Sequence, residues 1–344
     1  MFSFFVYLLY NALIIKIFED RGKKMRARII GTGSAVPESV VTNDDLAKVV
    51  DTNDEWISSR SGIRERRIAR EDNTTSLAIK AAKQAMEDAH MDSEALQMIV
   101  VATCTPDMFF PNTACQVQQA LGAHNAVAFD LSAACSGFLF ALSTVQAYIN
   151  SGLYTNALII GAETMSKVID WKDRSTCVLF GDGAGAVVVK AEETGFIDMV
   201  LGSDGDGGHV LTCRTREMHN LLCEGEQEMD YLHMDGQPVF KFAVKKVPEC
   251  VEQLLEKTGT DREAVDYYIL HQANSRIIQS VAKRLHVPEE KFPMNLSTHG
   301  NTSAASIPIL LDEMNRKGMF ARGQKILMSG FGAGLTWGAA LIEW

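Results

Sequence analysis

The chain lacks most of the features that announce a function directly. It has no basic excess: 33 Lys and Arg stand against 43 Asp and Glu, a formal net charge of −10. That balance argues against a nucleic-acid-binding surface while leaving room for a local basic patch. It has no cysteine framework either. Seven cysteines is an odd number, none falls in a CxxC pair, and no Cys/His cluster has zinc spacing. This fits reduced thiols in a cytosolic protein better than disulfides or a structural metal. Gly31 and Gly33 lack the third glycine of a dinucleotide fingerprint and run into Pro37 rather than a helix. The acidic turn at Asp204 and Asp206 lacks the later acidic ligands of a calcium loop. GDGAGAVVV carries no lysine to hold a phosphate.

What is present begins with size. A chain of 344 residues, 47% hydrophobic and 22% charged, can bury a large core as two domains or one duplicated unit. Residues 1–24 stand apart: MFSFFVYLLYNALIIKIF is apolar but marginal in length for a membrane span, and lacks the basic start and small-residue cleavage site of a signal peptide. The next segment begins with its own methionine, Met25, and reads as the first strand of a domain. An upstream start codon chosen in error is the preferred reading of the extension, ahead of an appended helix and a membrane anchor.

From Met25 onward short apolar strands alternate with longer helical stretches, which implies an α/β layered fold. The order repeats. LQMIVVATCTPD and TACQVQQALGA match AVDYYILHQAN and SRIIQSVAKRLHV; VAFDLSAACSGFLFAL matches FPMNLSTHGNTSAASIPIL; NALIIGAE matches KILMSGFGAG. Two similar halves are expected, residues 25–198 and 199–344, related by a pseudo-twofold axis.

Each copy puts variable polar residues just after a strand, where α/β proteins place ligands. The first supplies Cys135, between a strand expected to be buried (126–131) and a helix whose apolar residues recur at Phe138, Leu142, Val145 and Ile149. At a helix N-terminus the free N–H groups and the macrodipole favour thiolate, the attacking form. The second copy supplies His271, after AVDYYIL, and Asn301, after a strand expected around Asn295. Packing about a pseudo-twofold axis brings all three together. Taken alone, Cys135 suits a small core residue, His271 a packed one, and Asn301 a helix cap.

DLSAACSGF, HQANSRII, HGNTSAAS and the closing GFGAGLTWG together resemble the β-ketoacyl-acyl-carrier-protein synthase III family, from about Met25 to Trp344. A thiolase would need a second cysteine near the C-terminus, and GFGAGLTWGAALIEW has none. The resemblance implies a thiolase-like duplicated αβαβα fold and the condensation that initiates type II fatty acid synthesis. A short acyl-CoA, acetyl or branched, would acylate Cys135. Malonyl-acyl-carrier protein would then lose CO₂ while His271 and Asn301 hold the enolate, and the backbone N–H groups of Cys135 and Ala333 would hold the oxyanion. CoA would be bound by Thr52, Trp56, Arg60, Arg174 and Asn274. The carrier protein would dock on Gln272, Ala273, Asn274, Ser275, Arg276, Lys241, Lys283 and Arg284, and Phe110 would close the acyl pocket of a homodimer partner. No cofactor, metal, nucleic acid or membrane partner is implied, and the location is expected to be cytoplasmic. A related acyltransferase or a polyketide-priming enzyme is the alternative, with a Cys-His-Asn hydrolase further off.

Overall fold

In the computed structural model, residues 25–225 and 230–344 are described; the expectation for residues 1–24 lies outside them. The first sheet holds β1 (Arg26–Ala35), β2 (Met98–Ala102), β3 (Val127–Leu131), β4 (Asn156–Thr164) and β5 (Asp182–Glu192) in the order β1-β5-β4-β2-β3. The second holds β6 (Phe196–Ser203), β7 (Tyr267–Leu270), β8 (Lys325–Gly332) and β9 (Thr336–Glu343) in the order β7-β8-β9-β6. Reading each sheet from β1 or β6, the first two pairings are antiparallel and the next is parallel. One strand–helix unit has therefore been built twice. The second copy lacks the counterpart of β3: residues around Asn295 form no strand, and a short helix, Leu296–His299, takes over directly.

The main helices are α1 (Asp54–Ser61), α2 (Thr74–Asp88), α3 (Thr113–Leu121), α4 (Gly137–Asn150), α5 (Gly236–Thr258), α6 (Ser275–Leu285) and α7 (Ser306–Arg316). Helices α4 and α7 lie between the sheets and touch both. Their apolar faces, among them Phe138, Leu142, Leu310 and Met314, merge with Val100 and Ile159 of one sheet and Ile269 and Met328 of the other. Being covered on both sides, β2 and β4 are buried throughout, as central parallel strands require. Helices α2 and α3 cover the outer face of the first sheet, and α5 and α6 that of the second. The result is the αβαβα sandwich.

Two sequence expectations change. β3 is an edge strand, not a buried one: Val127 is 48% exposed, and among the described residues β3 pairs only with β2. β6 pairs wholly with the second sheet, although a seam at residue 198 would cut it. Helix α5 carries Pro248 in its interior. No helix among the described residues is long and apolar enough to cross a membrane.

Candidate active site

The site lies where the two copies of the strand–turn–helix unit face each other. A tight turn, Ala134–Ser136, links the end of β3 to α4 and carries Cys135 at its centre. Gly332, at the end of β8, lets that turn come close: a Cβ there would stand 2.7 Å from the Cys135 backbone nitrogen. Cys135 and Ala333, the residue after Gly332, line the same cavity.

His271 continues β7, its N–H donating to Ser329 O at 2.8 Å. The ring is buried, and Phe331 stands edge-on to it at 5.5 Å. Burial pulls the imidazole down to about 3, so it is neutral at any ordinary pH. Its Nδ1 lies 2.7 Å from Ser306 Oγ, which already accepts from the Gln272 N–H at 3.3 Å. The serine hydroxyl has a proton to donate to Nδ1; in that tautomer His271 carries its own proton on Nε2, as a donor.

Asn301 is clamped by its backbone: its N–H donates to Leu179 O at 2.8 Å and its carbonyl accepts from Gly181 at 3.0 Å. Its Oδ1 accepts from the Ser303 N–H at 2.9 Å, the Asx arrangement of a turn cap. Capping thus fixes the amide and leaves Nδ2 as the free end; the structural and chemical readings of Asn301 are the same contact.

Cys135, His271, Asn301 and Ala333 line one cavity of about 820 Å³. Arg60, Ala273, Asn274 and Arg276 line its mouth, and Phe180, Val239, Phe240 and Phe331 make much of its wall apolar. The cysteine differs from expectation. Burial, reinforced by the nearby Glu163, pushes its thiol up to about 12. The resting group is a thiol, because desolvation of a charged sulfur outweighs what a helix end supplies.

The other predicted residues divide. Trp56, on α1, is flanked by the guanidinium groups of Arg60 and Arg174, 4.6 and 4.9 Å from the ring centroid. The Thr52 hydroxyl is buried without a partner among the described residues. Asn274 caps α6 through Oδ1 to the Arg276 N–H and ties α6 to α1 through Nδ2 to Arg60 O, at 2.9 and 3.0 Å. Ser275 packs against Gly62, the left-handed residue that ends α1. Gln272 is 1% exposed, its amide donating to Leu270 O and accepting from Asn295 N–H, so its side chain is not on the surface a protein partner would touch. Arg276, Lys283 and Arg284 on α6 and Lys241 on α5 are exposed, with Arg276 over the Phe240 ring at 5.9 Å. Phe110 lies far out on the surface, 86% exposed and beside the exposed Met108 and Phe109; it does not line this chain's cavity.

Ser306 and Ser303 went unremarked within HGNTSAAS, and Glu163 within NALIIGAET. A carboxylate ending an otherwise apolar strand was the one signal that pointed to the last.

A duplicated αβαβα sandwich with a cysteine turn from one half facing a histidine and an asparagine from the other defines a thiolase-like condensing enzyme. Two family descriptions match: 3-oxoacyl-[acyl-carrier-protein] synthase III over residues 129–205 and its C-terminal part over 255–344. The β-ketoacyl-[acyl-carrier-protein] synthase III of Clostridium novyi is 51% identical over 319 residues, 92% of this chain and 98% of that protein. That of Caldanaerobacter subterraneus is 51% identical over 330 residues, covering 94% and 99%. Among solved structures, the Aquifex aeolicus 3-oxoacyl-[acyl-carrier-protein] synthase III has a TM-score of 0.86 at 47% identity, covering 92% of this chain and all of that one. The priming β-ketosynthase of the R1128 polyketide pathway has a TM-score of 0.88 at 36% identity, covering 93% and 97%. The chain belongs to the β-ketoacyl-acyl-carrier-protein synthase III family: it is an acyltransferase, the condensing enzyme that initiates fatty acid synthesis.

Proposed function

We infer that the chain condenses a short acyl-CoA with malonyl-acyl-carrier protein, releasing CoA and CO₂ and leaving 3-oxoacyl-acyl-carrier protein, through an acyl group held on Cys135. The observation that carries this reading is the convergence of one thiol and two fixed neutral donors on a single cavity. Sulfur attack on the CoA thioester gives the acyl-enzyme, its oxyanion held by the backbone N–H groups of Cys135 and Ala333. Malonyl thioester then occupies the space by His271 and Asn301. As the carboxylate leaves, charge gathers on the thioester oxygen, and Nε2–H and Nδ2–H are aimed at it; each such donor is worth about 2.7–4 kcal/mol. The carbanion attacks the acyl carbonyl and expels the Cys135 sulfur. No step needs the imidazole to change protonation, consistent with its depressed value.

Adenine would slide between Trp56 and Arg174 with Thr52 at its edge, and Arg60 and Asn274 would stand where pantetheine enters. Arg276, Lys283, Arg284 and Lys241 make an exposed basic face beside that mouth, suited to an acidic carrier protein. The unpaired edge of β3 and the apolar Met108–Phe110 loop support a homodimer joined there, with Phe110 reaching the partner's acyl pocket. A cytoplasmic location fits these substrates. Polyketide priming is the second reading, favoured by the 36% identical priming enzyme but less than by relatives near 50%. Purified protein given a panel of short acyl-CoAs and malonyl-carrier protein should yield an acyl adduct on Cys135, CO₂ and 3-oxoacyl product. No condensation with any primer would refute the assignment.

A further inference from the structure

The backbone clamp at Leu179 and Gly181 fixes the main chain of Asn301 but not the direction of its amide. That direction depends on Oδ1, which accepts from the Ser303 N–H at 2.9 Å. Ser303 presents this N–H from the left-handed region, φ 50°. A non-glycine residue seldom stays there unless its surroundings impose it. Two contacts from β4 do so. Gly161 lets the Ser303–Ala305 turn lie directly on that strand: a Cβ there would stand 2.3 Å from Ala304 O. Two residues on, and so on the same face of the strand, Glu163 accepts from Ser303 Oγ at 3.1 Å.

Glu163 is itself held in place. It is 0% exposed, and the parallel register that sets Ala102 beside Gly161 brings the residues after β2 alongside it. The Cys104 N–H lies 3.2 Å from both carboxyl oxygens and Cys104 Sγ 3.2 Å from Oε1, while the Thr103 and Thr105 hydroxyls donate to Oε2. An apolar side chain would fill this place without taking a carboxyl out of water. What the carboxyl adds toward the site is an acceptor for Ser303.

Resting on the reading of Asn301 as an enolate donor, we propose that Glu163 is a positioning residue for decarboxylation. Through the Ser303 hydroxyl it holds Ser303 in the left-handed conformation whose N–H fixes Asn301 Oδ1. Nδ2, at the other end of the same rigid amide, is thereby kept aimed at the malonyl thioester oxygen. In this role neither Glu163 nor Ser303 gives or takes a proton. Without the acceptor on Glu163, Ser303 is free to leave the left-handed region and turn its N–H away. The Asn301 amide then rotates about its last side-chain bond, and the donor is no longer pre-aimed when charge develops. Acylation of Cys135 uses other donors and is outside this chain of contacts.

The test is a double-mutant cycle read in both half-reactions: CO₂ release from malonyl-carrier protein on pre-acylated enzyme, and single-turnover acylation followed by intact-protein mass. Glu163→Gln keeps the shape but sets an NH₂ group among donors, and Ser303→Ala removes only the hydroxyl. Each should slow decarboxylation about 10–100-fold and leave acylation within about threefold. Placed on top of Asn301→Ala, either should cost less than about a further twofold, because a residue that acts only through Asn301 has nothing left to aim. Ser303→Ala carries the test alone if Glu163→Gln does not fold. Equal loss in both half-reactions would mark a mere crosslink and overturn the proposal. So would an undiminished further loss in the Asn301→Ala background, or unchanged decarboxylation in the single variants. If Asn301→Ala itself decarboxylates like wild type, the enolate-donor reading fails, and the positioning role with it.

Discussion

Replacing His271 by alanine separates the two halves of the reaction. The ring is 3% exposed, and burial alone sets its value near 3. The sign is plain: lowering the value of a base favours its neutral form, so above about pH 4 the imidazole carries no charge to gain or lose in the working range. With the Ser306 hydroxyl donating to Nδ1, its contribution is one N–H on Nε2. Removing one of two enolate donors should slow decarboxylation by about 10²–10³, or ~2.7–4 kcal/mol. Acylation of Cys135 does not use that donor and should stay within about threefold. The assay is CO₂ release from malonyl-carrier protein on pre-acylated enzyme, set beside single-turnover acylation. Wild-type decarboxylation should show no inflection around 6.5, the ordinary histidine value. Equal loss in both half-reactions, or such an inflection, would refute the reasoning.

The other predictions test separate parts of the site. Gly332→Ala would set a Cβ 2.7 Å from a backbone nitrogen in the cysteine turn; the overpacking should cost ~1–3 kcal/mol, read as a lower Tm and slower acylation. Trp56→Ala should raise KM for acyl-CoA about 5–30-fold, from ~1–2 kcal/mol of lost stacking and cation–π contact, and leave kcat little changed. Arg276→Glu should raise KM for malonyl-carrier protein at least about tenfold without altering acyl-CoA use. Added salt should weaken wild-type carrier-protein use in the same direction, and equal loss with both substrates would exclude a docking role.

The parts of the fold legible in sequence were those whose cause is local or repeated. α2, α3, α6 and α7 follow from their 3.6-residue period, and β2, β4 and β8 from short apolar runs bounded by turns. Matching β2 with β7 and β4 with β8 anticipated the shared strand order. β3 was misread because an edge and a centre differ only in what lies on the far side, and composition does not carry that. The strand expected near Asn295 failed for the opposite reason: repeat symmetry predicted an element that the second copy replaces with a short helix.

The site was legible as a set of partners but not as an electrostatic environment. Spacing placed Cys135, His271 and Asn301 at corresponding ends of the two units, and one cavity unites them. A helix end seen in sequence implied a thiolate. Desolvation, however, depends on everything packed around the sulfur, and here that includes Glu163, a buried carboxylate near the end of β4. Sequence motifs do not carry that difference, because it rests on residues brought in by the fold: Glu163 lies 28 positions downstream of Cys135, on a strand separated from β3 by β2.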